Sequence, residues 1–101
     1  MMGLFDKLFG AKDGKTAKEW FELGFSAKDP EKQLEYYTKA LEINPKFVEA
    51  WFNKGDTLRD LRKYEEAMVC FDKALEVNPS QEQTKRNREI AREKMKHIKA
   101  K

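Results

Sequence analysis

The sequence predicts an all-α fold: an antiparallel helix–turn–helix repeat array, an α-solenoid of two repeats plus a C-terminal capping helix. Three observations carry this. Lys39-Ala40-Leu41-Glu42-Ile43-Asn44-Pro45 returns 34 residues later as Lys73-Ala74-Leu75-Glu76-Val77-Asn78-Pro79, with only Ile exchanged for Val. A fixed period of about 20–50 residues is the mark of a repeat array. Each copy reads as a helix end, because Lys, Ala, Leu and Glu favour helix and Pro cannot continue one. Asn tolerates the left-handed conformation common at helix ends, while the Pro after it pushes it towards an extended one. Finally, helix-start signals stand at Thr16-x-x-Glu19, Asp29-Pro30 and Ser80-x-x-Gln83.

The chain of 101 residues suits one domain, and 40 % apolar with 39 % charged residues fits helices with one buried stripe and a charged exterior. Residues 1–15 form an N-terminal segment and linker. Leu4, Phe5, Leu8 and Phe9 share one face of a short helix, and Gly10 to Lys15 is a flexible connection. So short a helix needs a receiving surface. Its own repeats, a membrane surface, a partner protein and a second copy in a homodimer are the alternatives.

Repeat one covers 16–45. Its first helix starts at Thr16 and ends near Lys28. Its second starts at Asp29-Pro30-Glu31, with Asp as cap and Pro at the first helical position, and runs to about Ile43. Repeat two covers 46–79, with helices at roughly Phe47 to Leu61 and Tyr64 to Val77 around an Arg62-Lys63 turn. Residues 80–101 make the capping helix, opened by the Ser80/Gln83 capping box. Ile90, Ala91, Met95 and Ile98 are its expected covering side.

In the second copy Trp51, Gly55, Tyr64, Ala67, Phe71, Ala74 and Pro79 stand at a spacing that resembles the tetratricopeptide repeat, W-x2-L-G-x2-Y, then A-x3-F, then P. Trp20-Phe21-Glu22-Leu23-Gly24 resembles the opening of the same pattern in full. Lys54 replaces its Leu and Leu58 its Tyr. The first copy is shorter: Trp20 to Pro45 is 25 residues and Trp51 to Pro79 is 28. The shortening lies between Gly24 and Gln33. Gln33 then aligns with Ala67, a close-packing position, and Tyr37 with Phe71. Gly55 and Ala67 are small enough for two antiparallel helices to approach closely, and Trp51, Tyr64 and Phe71 are the large residues expected to fill the space around that contact.

The resemblance implies protein or peptide binding in a concave groove lined by the first helix of each repeat. Lys18, Phe21 and Phe25 would come from repeat one, and Glu49, Phe52, Asn53, Asp56 and Asp60 from repeat two. Gln83, Arg86 and Ile90 would come from the cap. Asn53 matches one member of the family's clamp for carboxylate termini. Phe21, Phe25, Gln83 and Asn87 occupy the other clamp positions, so an apolar ligand is expected instead.

Chemistry of other kinds has little to stand on. His97 and Cys70 are single residues of their types, with no second His or Cys at metal spacing, so no metal and no cofactor are expected. Cys70 reads as a packing residue. The carboxylates are spread over helix faces, and no catalytic set is assembled, so an enzyme is not expected. The charge is uneven. Residues 1–79 carry 13 Lys and Arg against 15 Asp and Glu, and residues 80–101 carry 8 against 3. That basic tail keeps a nucleic-acid-associated adaptor as the alternative, although no aromatic residue stands in it to stack on bases. Without a signal peptide or an 18-residue apolar run, a cytoplasmic location is expected.

Overall fold

Thr16 opens the first helix as its sequence requires. Its hydroxyl accepts from the Glu19 backbone N–H at 3.2 Å, and the Glu19 carboxylate accepts from the Thr16 backbone N–H at 2.9 Å. A computed structural model describes residues 14–99. Helix α1 spans Ala17–Ser26, α2 Pro30–Ile43, α3 Val48–Asp60, α4 Tyr64–Val77 and α5 Glu82–Lys99. The amphipathic segment at Leu4, Phe5, Leu8 and Phe9 lies outside the described residues.

Each helix packs mainly on its sequence neighbours, α1 on α2, α2 on α3, α3 on α4 and α4 on α5, with a lighter contact between α3 and α5. That is the one-dimensional stacking of a helical repeat. The two pairs share one joint. The carbon that a side chain would add at Gly24 falls 2.6 Å from Tyr37 Cε1, and at Gly55 it falls 2.5 Å from Phe71 Cε1. Only a bare backbone lets the two helices approach so closely over an aromatic ring. Trp20, Ala40, Leu41 and Ala50 fill the first core, and Leu58, Ala67, Cys70, Phe71 and Ala91 the second. Trp51 packs against both, and its Nε1–H donates to the Pro45 carbonyl at 2.7 Å. The end of one heptapeptide is thereby tied to the next repeat.

The helix ends show which tendency wins at Asn. Asn44 (φ −130°) and Asn78 (φ −133°) are extended, not left-handed. The Pro that follows each excludes the helical region for the residue before it. Instead, among the described residues, the left-handed non-glycine residue is Arg62, φ 64°, in the turn between α3 and α4. There the Lys63 N–H reaches the Leu58 carbonyl at 2.8 Å and the Arg62 N–H the Arg59 carbonyl at 2.9 Å. This paired pattern terminates a helix and usually employs glycine at the left-handed position.

Three expectations need correction. Helix α1 stops at Ser26 rather than Lys28. Gln33, aligned with a close-packing position, acts through its amide instead. Its Nε2–H donates to the Ala27 carbonyl at 2.7 Å, and its Oε1 lies 3.1 Å from the Thr57 hydroxyl. The longer side chain satisfies a carbonyl at the end of α1 and links both repeats. Ser80 does not cap α5, which begins at Glu82. The Ser80 hydroxyl donates to Asn78 Oδ1 at 3.1 Å.

The packed side of α5 matches expectation only in part. Ala91 is buried and Met95 half-buried, but Thr84 and Asn87 are buried with them, while Ile90 and Ile98 are exposed. The α4 residues that share a cluster with Ala91 are Ala67, Cys70 and Phe71, the first two of them small. Two helices separated by small residues come too close for an isoleucine between them. The Cys70 thiol is buried, which pushes its pKa up to about 11. At neutral pH it is an inert packing group.

Candidate functional site

Helix α1 presents aromatic rings along one side because Phe21 and Phe25 are four residues apart. Phe21 is half-buried. Its ring centroid lies 5.0 Å from Phe47, 5.6 Å from Tyr37 and 6.1 Å from Phe25. These are ordinary aromatic packing distances. Phe25 is the outermost ring of the stack and is 68 % exposed. The structure therefore fixes Phe21 in place and leaves Phe25 open. Lys18, one turn before Glu22, is exposed.

The candidates on α3 divide differently. Phe52 turns towards the second core, 6.2 Å from Phe71, and is half-buried. Asn53 is spent on its own helix, its Nδ2–H donating to the Glu49 carbonyl at 2.8 Å, while the Glu49 side chain is exposed. Thr57 shares its hydroxyl hydrogen between the Asn53 carbonyl and Gln33. Asp56 joins α3 to α5. Its Oδ1 accepts from Asn87 Nδ2–H at 2.8 Å, with Arg59 Nη1 3.6 Å away. Arg59 also approaches the exposed Asp60 at 3.8 Å. Burial raises the pKa of Asp56, partly offset by Arg59 and by the Asn87 hydrogen bond. Burial, and then the charge of Asp56, raises that of Tyr37.

Gln83 lies 3.4 Å from Asn87 Oδ1 and supports its orientation. Asn87 therefore serves the α3–α5 contact. Arg86 and Ile90 stand elsewhere, in a hollow of about 840 Å3 between α5 and the α3–α4 turn. Its lining adds Arg62, Tyr64, Lys94, His97 and Ile98, none of which stood among the sequence candidates. The row Arg86, Ile90, Lys94, Ile98 is legible in the sequence as a four-residue step along one helix side. The contribution of Arg62 was not, since it depends on where α5 lies.

Four cations of the basic tail are engaged. Arg88 pairs with Asp72 at 3.0 Å, Arg92 with Glu89 at 2.8 Å, Lys96 with Glu93 at 3.7 Å and Lys85 with Glu82 at 3.8 Å. Among the described residues, no three His, Cys, Asp or Glu side chains gather as they would to hold a metal ion. No helix among them is long and apolar enough to cross a membrane.

Comparison with known proteins agrees with this architecture. The tetratricopeptide repeat matches twice, over residues 22–47 and over residues 48–81. An uncharacterised protein of Methanocaldococcus jannaschii is 55 % identical over 49 residues, which is 48 % of this chain and 57 % of that protein. A UDP-N-acetylglucosamine–peptide N-acetylglucosaminyltransferase of Giardia intestinalis is 35 % identical over 48 residues, 48 % of this chain but 3 % of the transferase. The chain thus spans little more than half of one relative and a small part of the other. Repeats of this kind are protein–protein interaction modules. With two consecutive matches laid over two consecutive helix pairs, the chain belongs to the tetratricopeptide repeat family.

Proposed function

We propose that the chain is a non-catalytic adaptor that binds a peptide or helix in the groove along α1 and α3, with Phe25 as the apolar anchor point. One observation carries the reading: an exposed phenylalanine mounted on a ring stack whose inner members, Phe21 and Phe47, are half-buried and pack against the core. A rigid aromatic on a firm base can bury area without first losing much side-chain freedom. Lys18, Glu49 and Asp60 are exposed polar groups suited to the rim, and Asn53 and Asp56 are partly spent on internal bonds.

The test is selection of binding peptides from a displayed library on the wild-type chain, followed by affinity measurement on Phe25→Ala. Loss of about tenfold or more, with an unchanged melting curve, supports the groove. Selected peptides that bind Phe25→Ala as well as wild type sink the assignment. A residual nucleic-acid reading for the tail is separated by salt, since affinity for nucleic acid falls steeply with salt concentration. The pairing of Arg88, Arg92, Lys85 and Lys96 with acids argues against it.

Leu4, Phe5, Leu8 and Phe9 are proposed as an internal competitor for the same groove. Deleting residues 1–10 then raises peptide affinity and lowers the melting temperature. Loss of vesicle binding with neither change assigns the segment to a membrane surface instead, and loss of a dimer assigns it to self-association.

A further inference from the structure

The hollow beside α5 is separate from the α1 aromatic stack, and its charge is one-sided. Tyr64, Ile90 and Ile98 supply apolar surface, and the two isoleucines are 44 % and 55 % exposed. Two acids line it, but Glu89 is paired with Arg92 and Glu93 with Lys96. Three cations line it as well, Arg62, Arg86 and Lys94, and none has an ion-pair partner among the described residues. Every other described Arg on α3 and α5, by contrast, has an acid within 4 Å. The unneutralised charge around the apolar surface is therefore positive.

Arg62 adds an independent sign. It occupies the left-handed position of the α3–α4 turn at φ 64°, where glycine would fit without strain. A side chain held at a strained backbone position often marks a functional site. Here that side chain is one of the three unpaired cations.

We propose that this hollow binds an acidic peptide segment, one large apolar side chain packing on the apolar wall that includes Tyr64 and Ile90 while flanking carboxylates meet Arg62, Arg86 and Lys94. The inference rests on the protein-binding reading but places a second contact away from Phe25. Apolar burial would supply most of the affinity, and the cations orientation and association rate. A conventional two-signal recognition of this kind discriminates against uncharged apolar segments and against acidic segments lacking the anchor.

The experiment uses a fluorescein-labelled peptide with one leucine flanked by glutamates, a glutamine counterpart, and a counterpart with serine for leucine. Binding is read by fluorescence anisotropy on the full chain. The glutamate peptide is expected to bind, with affinity falling several-fold as salt is raised. Each counterpart, and the variants Arg86→Glu with Lys94→Glu, and Ile90→Asp, should lose about tenfold or more. These side chains are exposed and the two cations unpaired, so the variants should fold, as a circular dichroism melt will verify. Arg62→Gly should weaken binding while keeping the fold. Phe25→Ala should leave this binding unchanged. Equal binding of glutamate and glutamine peptides, or wild-type binding by the charge-reversed variant, overturns the proposal. If Phe25→Ala abolishes binding and the α5 variants do not, the peptide lies on the aromatic groove: the hollow is then refuted and the groove stands. Binding to anionic lipid vesicles without any peptide binding overturns it in favour of a membrane surface.

Discussion

Placing a methyl group on Gly55 tests the central joint of the second repeat. The added carbon would stand 2.5, 2.8 and 3.0 Å from three atoms of the Phe71 ring. Phe71 is fully buried, so the ring has no free space to enter. Overpacking of this kind typically costs about 1–3 kcal/mol. Alanine also favours helix over glycine by about 1 kcal/mol, which opposes that cost. Gly55→Ala alone should therefore destabilise by up to about 2 kcal/mol. Phe71→Ala should cost about 3–5 kcal/mol by itself. Once the ring is gone, the clash is gone, and the new methyl fills part of the cavity. In that background Gly55→Ala should stabilise, by about 1 kcal/mol from helix propensity and a little more from burial. The sign of one substitution reverses with its neighbour, which is strong energetic coupling. Urea unfolding of the four proteins, followed by circular dichroism, measures it. Gly55→Ala that has the same effect with and without Phe71 would refute the close contact and the packing argument built on it. Gly24 faces Tyr37 at 2.6 Å, and the same reversal is expected there.

Truncation after Pro79 should expose the buried Ala67, Cys70, Phe71 and Ala74 and cause aggregation, read by light scattering; an equally stable monomer would mean that α5 covers nothing. Asp56 has a raised folded pKa, so the folded state holds its proton more tightly and stability from this group falls as pH rises through the interval above its ordinary value. Asp56→Asn, which keeps an acceptor for Asn87, should flatten that slope in denaturation curves taken across the acidic range; an unchanged slope removes Asp56 as its source. Arg62→Gly should raise stability by about 1 kcal/mol, since a non-glycine residue in the left-handed region costs roughly 1–2 kcal/mol, partly offset by the freedom glycine has when unfolded; a lower melting temperature would show that the Arg62 side chain holds the turn.

The sequence by itself determined the helix pairs and their joint. Thr16/Glu19 and Asp29-Pro30 set two helix starts, Asn44-Pro45 and Asn78-Pro79 two stops, and Gly55, Ala67 and Phe71 the small and large members of the second pair, which the structure seats as Gly55 on Phe71 and, in the first pair, Gly24 on Tyr37. These are local or strictly periodic signals, and nothing elsewhere in the chain competes with them. The 34-residue heptapeptide repeat then required that the two pairs stack alike. What only the tertiary structure decided lies at the third layer. Helix α5 carries apolar residues on two adjoining sides, and its own pattern favours the larger ones, Ile90 and Ile98. On α4 the small Ala67 and Cys70 share a cluster with Ala91, so close approach there favours Thr84, Asn87 and Ala91, and Asn87 finds its partner in Asp56, 31 residues earlier. That choice turns the isoleucines outward beside Arg62, and so creates the hollow. A site whose walls come from a turn and a distant helix depends on which face is buried, and that is settled by the shape of the partner surface rather than by the helix that packs on it.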